Sequence, residues 1–323
     1  MPHPPIETEW YRFYNEDCVE GCKHLDADSV DLIITDPPYG INGDKLHKHY
    51  NRDESFVLDG YVEVPAEDYA EFSRRWIEQA ARILKPGGSI YIVSGYTNLR
   101  HILNALADSP LEEVNHIIWK YNFGVHTRYK YVSSHYHILF YVKPGARHTF
   151  NTYCRFGANE QNGSGQKKNY ADREDVWEIR REYKPGKAKN KNELPYELLK
   201  KMLLYSSNEG SGVLDLFMGS FSTAFAALRL KRRVLGFEIN SKSFEGLQRK
   251  LNAVELDESS LIAPQNSTPR NQGKAWSPHD LRDVKKKYIQ YKKQCGTKRQ
   301  AIDLLCEEYG RGYFSILNVI DKK

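Results

Sequence analysis

The chain has 323 residues, of which 28% are charged and 40% hydrophobic, with a formal net charge of +5. That is enough chain for one large α/β domain and a small appendage. No apolar run reaches the length of a membrane span, and the first residues, MPHPPIETEW, lack the basic and apolar segments of a signal peptide, so a cytoplasmic protein with no membrane partner is expected.

In chain order, VDLIIT (30–35) reads as a buried strand that runs into TDPPYG. Pro37 and Pro38 have no backbone N–H, so the ladder must stop there and leave carbonyls for a partner outside the fold. A helix is expected from about Ala66 to Leu84, ended by KPGG, then a strand SIYIVS, a helix near Asn98 to Ala107, and the strands HIIWKY and HYHILFYV. A polar stretch from Gly145 to about Lys191 interrupts the alternation. It resumes with a helix over Pro195 to Tyr205, the strand GVLDLF, a helix over Ser222 to Leu230, the strand RRVLGFEI and a helix from Ser243 to about Val254. Such alternation predicts a mostly parallel twisted sheet wrapped by helices over 1–254, with an insertion at 145–191. Residues 255–276 have linker composition. Residues 277–323 hold three short helical patterns, the last two joined by GRG, as in a helix-turn-helix that reads DNA; a bare three-helix packing module has the same apolar spacing.

Charge is unevenly spread. Residues 143–191 carry 12 Lys and Arg against 6 Asp and Glu, and residues 277–323 carry 11 against 6. Basic stretches that also hold aromatic residues suit a polyanion with stackable bases, although a solvated face would look alike. The five cysteines, Cys18, Cys22, Cys154, Cys295 and Cys306, have neither paired CxxC spacing nor histidine clusters, so no metal site and no disulfide framework is expected.

The chemistry concentrates at strand ends, where open α/β sheets bind ligands. In VLDLFMGSFSTAFAAL, a strand is followed by a small-residue loop and a helix: Gly219 and Ser220 let backbone N–H groups approach a ligand, and Asp215 offers an acceptor to an ammonium group. Glu238 ends the next strand, where a carboxylate accepts hydrogen bonds from both hydroxyls of a ribose. This pair alone fits any nucleotide-binding sheet, NAD included.

Together with TDPPY, and with LKPGGSIYI, LPYELLKKML, DLFMGS and GFEIN in this order, the chain resembles the amino-group DNA methyltransferases that use S-adenosylmethionine, in the beta-type order where the catalytic motif precedes the cofactor loop. The resemblance covers roughly Tyr11 to Ala253 and implies a Rossmann-like methyltransferase fold. It assigns Asp36, Pro37, Pro38 and Tyr39 to catalysis, and Asp17, Asp215, Phe217, Gly219, Ser220 and Glu238 to the cofactor, with Asp36 close to it. For Asp17, a turn acid or helix cap is the structural alternative. Asp36 and the Pro37 carbonyl would each accept an N–H of the target amine and aim its lone pair at the sulfonium methyl, for direct displacement without a covalent intermediate or a metal. The target base must leave the duplex; Tyr39 would stack on it, with His137 and Phe140 as candidate walls. An Asp at the head of the tetrapeptide implies adenine N6, with cytosine N4 the alternative and a non-catalytic DNA-binding regulator a further one. Double-stranded DNA is the implied partner, in a restriction-modification system with a cognate endonuclease, and the protein is expected as a monomer or homodimer. Candidate DNA contacts are Arg147, Arg155, Lys167 and Lys168 in the insertion and Lys298, Arg299 and Arg311 in the tail.

Two departures from the family pattern stand out. Where the cofactor loop usually reads GSG, Phe221 takes the third position, which argues against a left-handed conformation there. The stretch NKNELP replaces HPTEKP, leaving Lys191 and Asn192 as candidates near the cofactor's carboxylate.

Overall fold

The computed structural model describes residues 3–38, 64–122, 124, 128–151, 171–181, 193–247, 251, 271, 275–295 and 298–321. The described residues up to 251 form one compact unit and those from 271 onward another.

The first unit is built on nine strands: β1 (Ile6–Glu7), β2 (Tyr11–Tyr14), β3 (Val30–Thr35), β4 (Leu84–Ser94), β5 (Glu112–Lys120), β6 (His135–Val142), β7 (Val176–Glu178), β8 (Gly212–Asp215) and β9 (Arg233–Phe237). Among the described residues the helices α1 (Cys18–Cys22), α2 (Tyr69–Ile83), α3 (Leu99–Ala107), α4 (Tyr196–Ser206), α5 (Ser222–Arg229) and α6 (Ser241–Glu245) accompany them. The sheet order is β1-β2-β9-β8-β3-β4-β6-β5-β7. From β2 through β9, β8 and β3 to β4 the strands run parallel, β6 lies antiparallel between β4 and β5, and β7 returns parallel to β5. Parallel neighbours end together, so Tyr14, Phe237, Asp215, Thr35 and Ser94 all reach one carboxyl edge.

Both faces of the sheet are covered, which is why β3 reads as a continuous apolar run. Alternate residues of β4 serve the two sides: Tyr91 and Val93 join a core with Leu198, Met202 and Ala224, whereas Ile90 and Ile92 join one with Trp76, Ile77 and Ile102. On α2, Tyr69, Ser73, Trp76, Ile77, Ala80 and Ile83 are buried at helical spacing, and Arg74 pairs with Glu71 and Glu78 on the outer face.

Two expectations about KPGG and α2 need correction. The helix starts at Tyr69 rather than near Ala66, and the strand is longer than SIYIVS: β4 begins at Leu84, where the helix ends, and runs through KPGG. Val30 pairs with Leu84 but Leu32 with Ser89, so KPGG is the bulged side of the ladder. Gly87 adopts φ 78° there, and a Cβ on it would lie 2.9 Å from the Arg147 carbonyl. Helix α6 starts at Ser241, where the Asn240 side chain accepts from Lys242 N and Ser243 N.

The second unit consists of α7 (Pro278–Cys295), α8 (Lys298–Tyr309) and α9 (Tyr313–Asp321) around Val284, Ile302, Leu305, Ile316 and Val319. Arg311, expected at a DNA surface, is a correction. It is buried, donates to the carbonyls of Asn271 at 2.6 Å and Ala275 at 3.0 Å, and lies 4.5 Å over the Trp276 ring. A charged residue in the tight turn thus serves the packing of that turn. Lys298 is exposed and donates to Asp321 at 2.9 Å; the side chain of Arg299 lies outside the described residues. Among the described residues no helix is long and apolar enough to cross a membrane.

Candidate active site

At the centre of the carboxyl edge, β3 and β8 are neighbours, and their ends are tied: the Thr35 hydroxyl donates to Asp215 Oδ1 at 3.2 Å. Asp36, half-buried, is therefore the next residue along from a direct link to Asp215, the acid that ends β8. Asp215 also accepts from Phe217 N at 3.1 Å, the start of the turn that Met218 N closes onto the Phe237 carbonyl of β9 at 3.0 Å. Burial pushes the Asp215 carboxyl up to about 6 against the opposing pull of Thr223, Phe217 and Thr35.

Glu238 follows β9 and is buried; its carboxylate accepts from Asn240 N at 2.7 Å and from Gly219 N. Burial raises it to about 7, helped by the negative charge of Asp215. Two buried carboxyls, both raised by burial, thus stand at one edge of the sheet. Gly236 explains the close fit behind it, because a Cβ there would meet Met218 Sδ at 2.3 Å. Asn15, at the end of β2, donates to the Glu238 carbonyl at 2.8 Å and accepts from Ser241 Oγ at 2.8 Å. Asp17, two residues on, is the cap of α1: its Oδ1 accepts from Val19 N at 2.9 Å and Glu20 N at 3.2 Å. The structural alternative for Asp17 is thus realised.

The expectation for Phe221 is overturned. It takes φ 67°, ψ 20°, the left-handed conformation, with Gly219 at φ 49°. Its ring is almost fully buried beside Phe13, with centroids 6.5 Å apart, so packing offsets a backbone cost of about 1–2 kcal/mol.

Helix α2 brackets both halves of the edge, a role with no local sequence signal. Tyr69 donates its hydroxyl to the Pro38 carbonyl at 2.8 Å, holding the end of the proline pair. One and two turns on, Phe72 and Trp76 pack on Phe217 in the loop after β8, each at 5.7 Å between centroids.

His137 sits opposite Ser94, at the same edge. Its Nδ1 shares a 2.8 Å hydrogen bond with Nε2 of His116, and burial beside two other histidines lowers it to about 4, so it stays neutral near pH 7. Phe140 does not reach the edge: it pairs with Tyr91 in mid-sheet and stacks on that ring at 4.5 Å, which corrects its expected place beside a flipped base. Arg147 is likewise misplaced. It follows the end of β6 that pairs with Ser89, so it lies at the amino edge, about 17 Å of strand from Ser94. Tyr39, Arg155, Lys167, Lys168, Lys191 and Asn192 lie outside the described residues. Among the described residues no cluster of His, Cys, Asp and Glu could hold a metal ion.

A DNA methylase family model matches residues 30–249. The chain is 30% identical over 245 residues to the type II methyltransferase M.HpaI of Haemophilus parainfluenzae, covering 75% of this chain and 74% of that protein. It is 27% identical over 300 residues to M.BamHI of Bacillus amyloliquefaciens, covering 86% and 68%. Similar folds are found in the M1.HpyAVI–SAM complex (TM-score 0.52, 24% identity, 75% of this chain and 99% of that one) and in the cytosine-N4-specific PvuII DNA methyltransferase (TM-score 0.55, 15% identity, 77% and 95%). The family match spans β3, Asp36 and the loops after β8 and β9, and this chain belongs to the N6/N4 DNA methylase family.

Proposed function

We propose that the protein transfers a methyl group from S-adenosylmethionine to adenine N6 in double-stranded DNA at a specific site, as the modification half of a restriction-modification pair. The observation that carries this reading is the Thr35–Asp215 hydrogen bond, which ties the end of β3, next to Asp36, to the end of β8. The buried carboxyls fit the cofactor: Glu238 suits its ribose hydroxyls and Asp215 its ammonium group, with Gly219 and Ser220 supplying close backbone. When bound, the cofactor supplies a methyl group on a positively charged sulfur that leaves readily.

The chain's own residues then prepare the acceptor. An exocyclic amine is a poor nucleophile because its lone pair is delocalised into the ring; the Asp36 carboxylate and Pro37 carbonyl, each accepting one N–H, turn that lone pair out of the ring plane. Tyr69 fixes the Pro38 carbonyl and so the orientation of the preceding peptide. Neutral His137, two strands from Asp36, suits the polar rim of a pocket for a base taken out of the stack. Asp36 rather than Ser at the head of the tetrapeptide favours adenine. The helical unit, with Lys298, and the stretch 41–56 after the catalytic motif would share DNA contact with the insertion; deleting everything after Ala275 then weakens DNA binding or relaxes specificity and leaves cofactor binding intact.

The test is to sequence genomic DNA from cells expressing the protein with a method that reports N6-methyladenine and N4-methylcytosine with their flanking bases. N6-methyladenine in one short motif is expected. N4-methylcytosine would overturn the base assignment and keep the displacement chemistry; no mark in DNA would overturn the substrate.

A further inference from the structure

Three exposed tyrosines stand beyond the carboxyl ends of the strands. Tyr96, in the turn after β4, is 65% exposed, and in the connection between β5 and β6 Tyr129 and Tyr131 are 89% and 99% exposed. Arg128 and Lys130 alternate with them, and all four residues of this RYKY stretch are exposed. The connection leaves β5 at Lys120 and enters β6 at His135, which pair with each other, two residues from the His137–Ser94 pair. It therefore projects from the edge that carries Asp36.

The foot of this connection is firmly built. Tyr121 N donates to the Ser134 carbonyl at 3.0 Å, and the rings of Trp119, Tyr121 and Tyr136 pack with centroids 5.5–5.7 Å apart. The Arg181 guanidinium lies over Tyr121 at 4.7 Å and Tyr136 at 5.1 Å. An ordered aromatic base thus holds up a tip whose tyrosines gain nothing from the fold. Single exposed aromatics are ordinary. Two tyrosines within three residues, alternating with cations beside a catalytic motif, match the chemistry of unstacked nucleic acid: ring faces for bases, cations for phosphates.

We propose that the 128–131 stretch is a DNA-contact element, in which Tyr129 and Tyr131 stack on the bases of the step opened when the target base leaves the duplex, and Arg128 and Lys130 meet the flanking phosphates. This rests on the reading of the protein as a duplex-DNA methylase. No residue of the catalytic motif or the cofactor loop takes part.

The test compares full-length Tyr129→Ala/Tyr131→Ala, Tyr129→Phe/Tyr131→Phe and Arg128→Gln/Lys130→Gln proteins, using unmethylated plasmid DNA and tritiated S-adenosylmethionine, with cofactor affinity measured by calorimetry. The alanine pair is expected to lower kcat/KM for DNA at least tenfold, as lost base stacking predicts, and the phenylalanine pair to stay within twofold of the unsubstituted protein. The glutamine pair is expected to reduce the slope of log affinity against log salt by about 2. Cofactor affinity stays unchanged throughout. An alanine pair that methylates normally, or a phenylalanine pair as impaired as the alanine pair, overturns the stacking role alone. No label from the unsubstituted protein would overturn the methylase reading and this assignment with it.

Discussion

The two halves of the carboxyl edge are built on opposite principles. On the β8–β9 side, Asp215 and Glu238 are buried, each bonded to backbone N–H groups of the loops that follow them, and Phe217 and Phe221 are locked by aromatic packing. On the β4–β6–β5 side, the residues beyond the strands are exposed tyrosines and cations with half-buried His137 behind them. A small ligand of fixed shape rewards a preformed pocket. A duplex that must be deformed rewards a surface, because much of the binding energy comes from stacking and phosphate contacts made on arrival. Asp36 stands where the two halves meet, so substitutions on either side separate cofactor binding, DNA binding and chemistry.

The largest effect is expected at that junction. Asp36→Ala removes an acceptor made useful only as the amine rehybridises, so methyl transfer to plasmid DNA falls about a thousandfold or more while cofactor affinity changes little. A variant that loses both in parallel would show that Asp36 belongs to the cofactor pocket rather than the junction.

On the pocket side, Glu238→Gln keeps an acceptor for Asn240 N but loses the charge. A charge-assisted hydrogen bond is worth about 1.5–3 kcal/mol, so cofactor binding weakens by about 10–100-fold. The pH dependence has a definite sign. With its folded value raised to about 7 from an ordinary 4.5, Glu238 binds a proton in the free protein that the unfolded chain has already lost, so the cofactor-free protein loses stability as pH rises through that window. Cofactor that requires the ionised form binds more tightly over the same rise. The increase in Tm caused by S-adenosylmethionine therefore grows from pH 6 to pH 8, and Glu238→Gln flattens that growth; an effect that shrinks with pH would reverse the assignment of the charged form as the binding form.

A smaller effect is expected from the bracket between the halves. Tyr69→Phe removes the hydrogen bond to the Pro38 carbonyl at a cost of about 1 kcal/mol, and kcat falls about fivefold with cofactor affinity unchanged. If Tyr69 only packs in the core, kcat stays the same and thermal stability alone moves.

How much of this was legible in the sequence follows from how local each signal is. The buried strands VDLIIT and GVLD and the amphipathic helix behind Trp76 are written in apolar spacing, and the strand-end acids follow from where those strands stop. KPGG was misread because Pro and Gly mark a bulge within a ladder as readily as a loop between elements, and only the Val30 and Leu32 pairings tell them apart. Arg311 was misread because charge suggests a surface, whereas its carbonyl partners lie 36 and 40 residues away in sequence. Tyr69 was missed for the same reason, since nothing near it announces a partner 31 residues earlier. Arg147 and Phe140 depend on which end and which depth of β6 they occupy, a property of sheet register that composition does not carry.

Phe221 offers the finest test, because its two opposing contributions can be separated. The left-handed conformation penalises any side chain, and burial of the ring offsets that penalty. Phe221→Ala forfeits the ring and keeps a Cβ in the strained conformation; Phe221→Gly forfeits the ring and relieves the strain. Both are expected to destabilise the protein by about 3 kcal/mol or more through the cavity they leave. Glycine nevertheless comes out about 1 kcal/mol better than alanine, reversing the order seen where φ is negative. Denaturant titration at fixed slope reads the difference, and an alanine variant more stable than the glycine variant would mean that residue 221 leaves the left-handed region once the ring is gone. Glycine above alanine would instead mean that the turn itself demands the left-handed conformation, which the usual GSG loop meets with backbone freedom and this chain with aromatic packing.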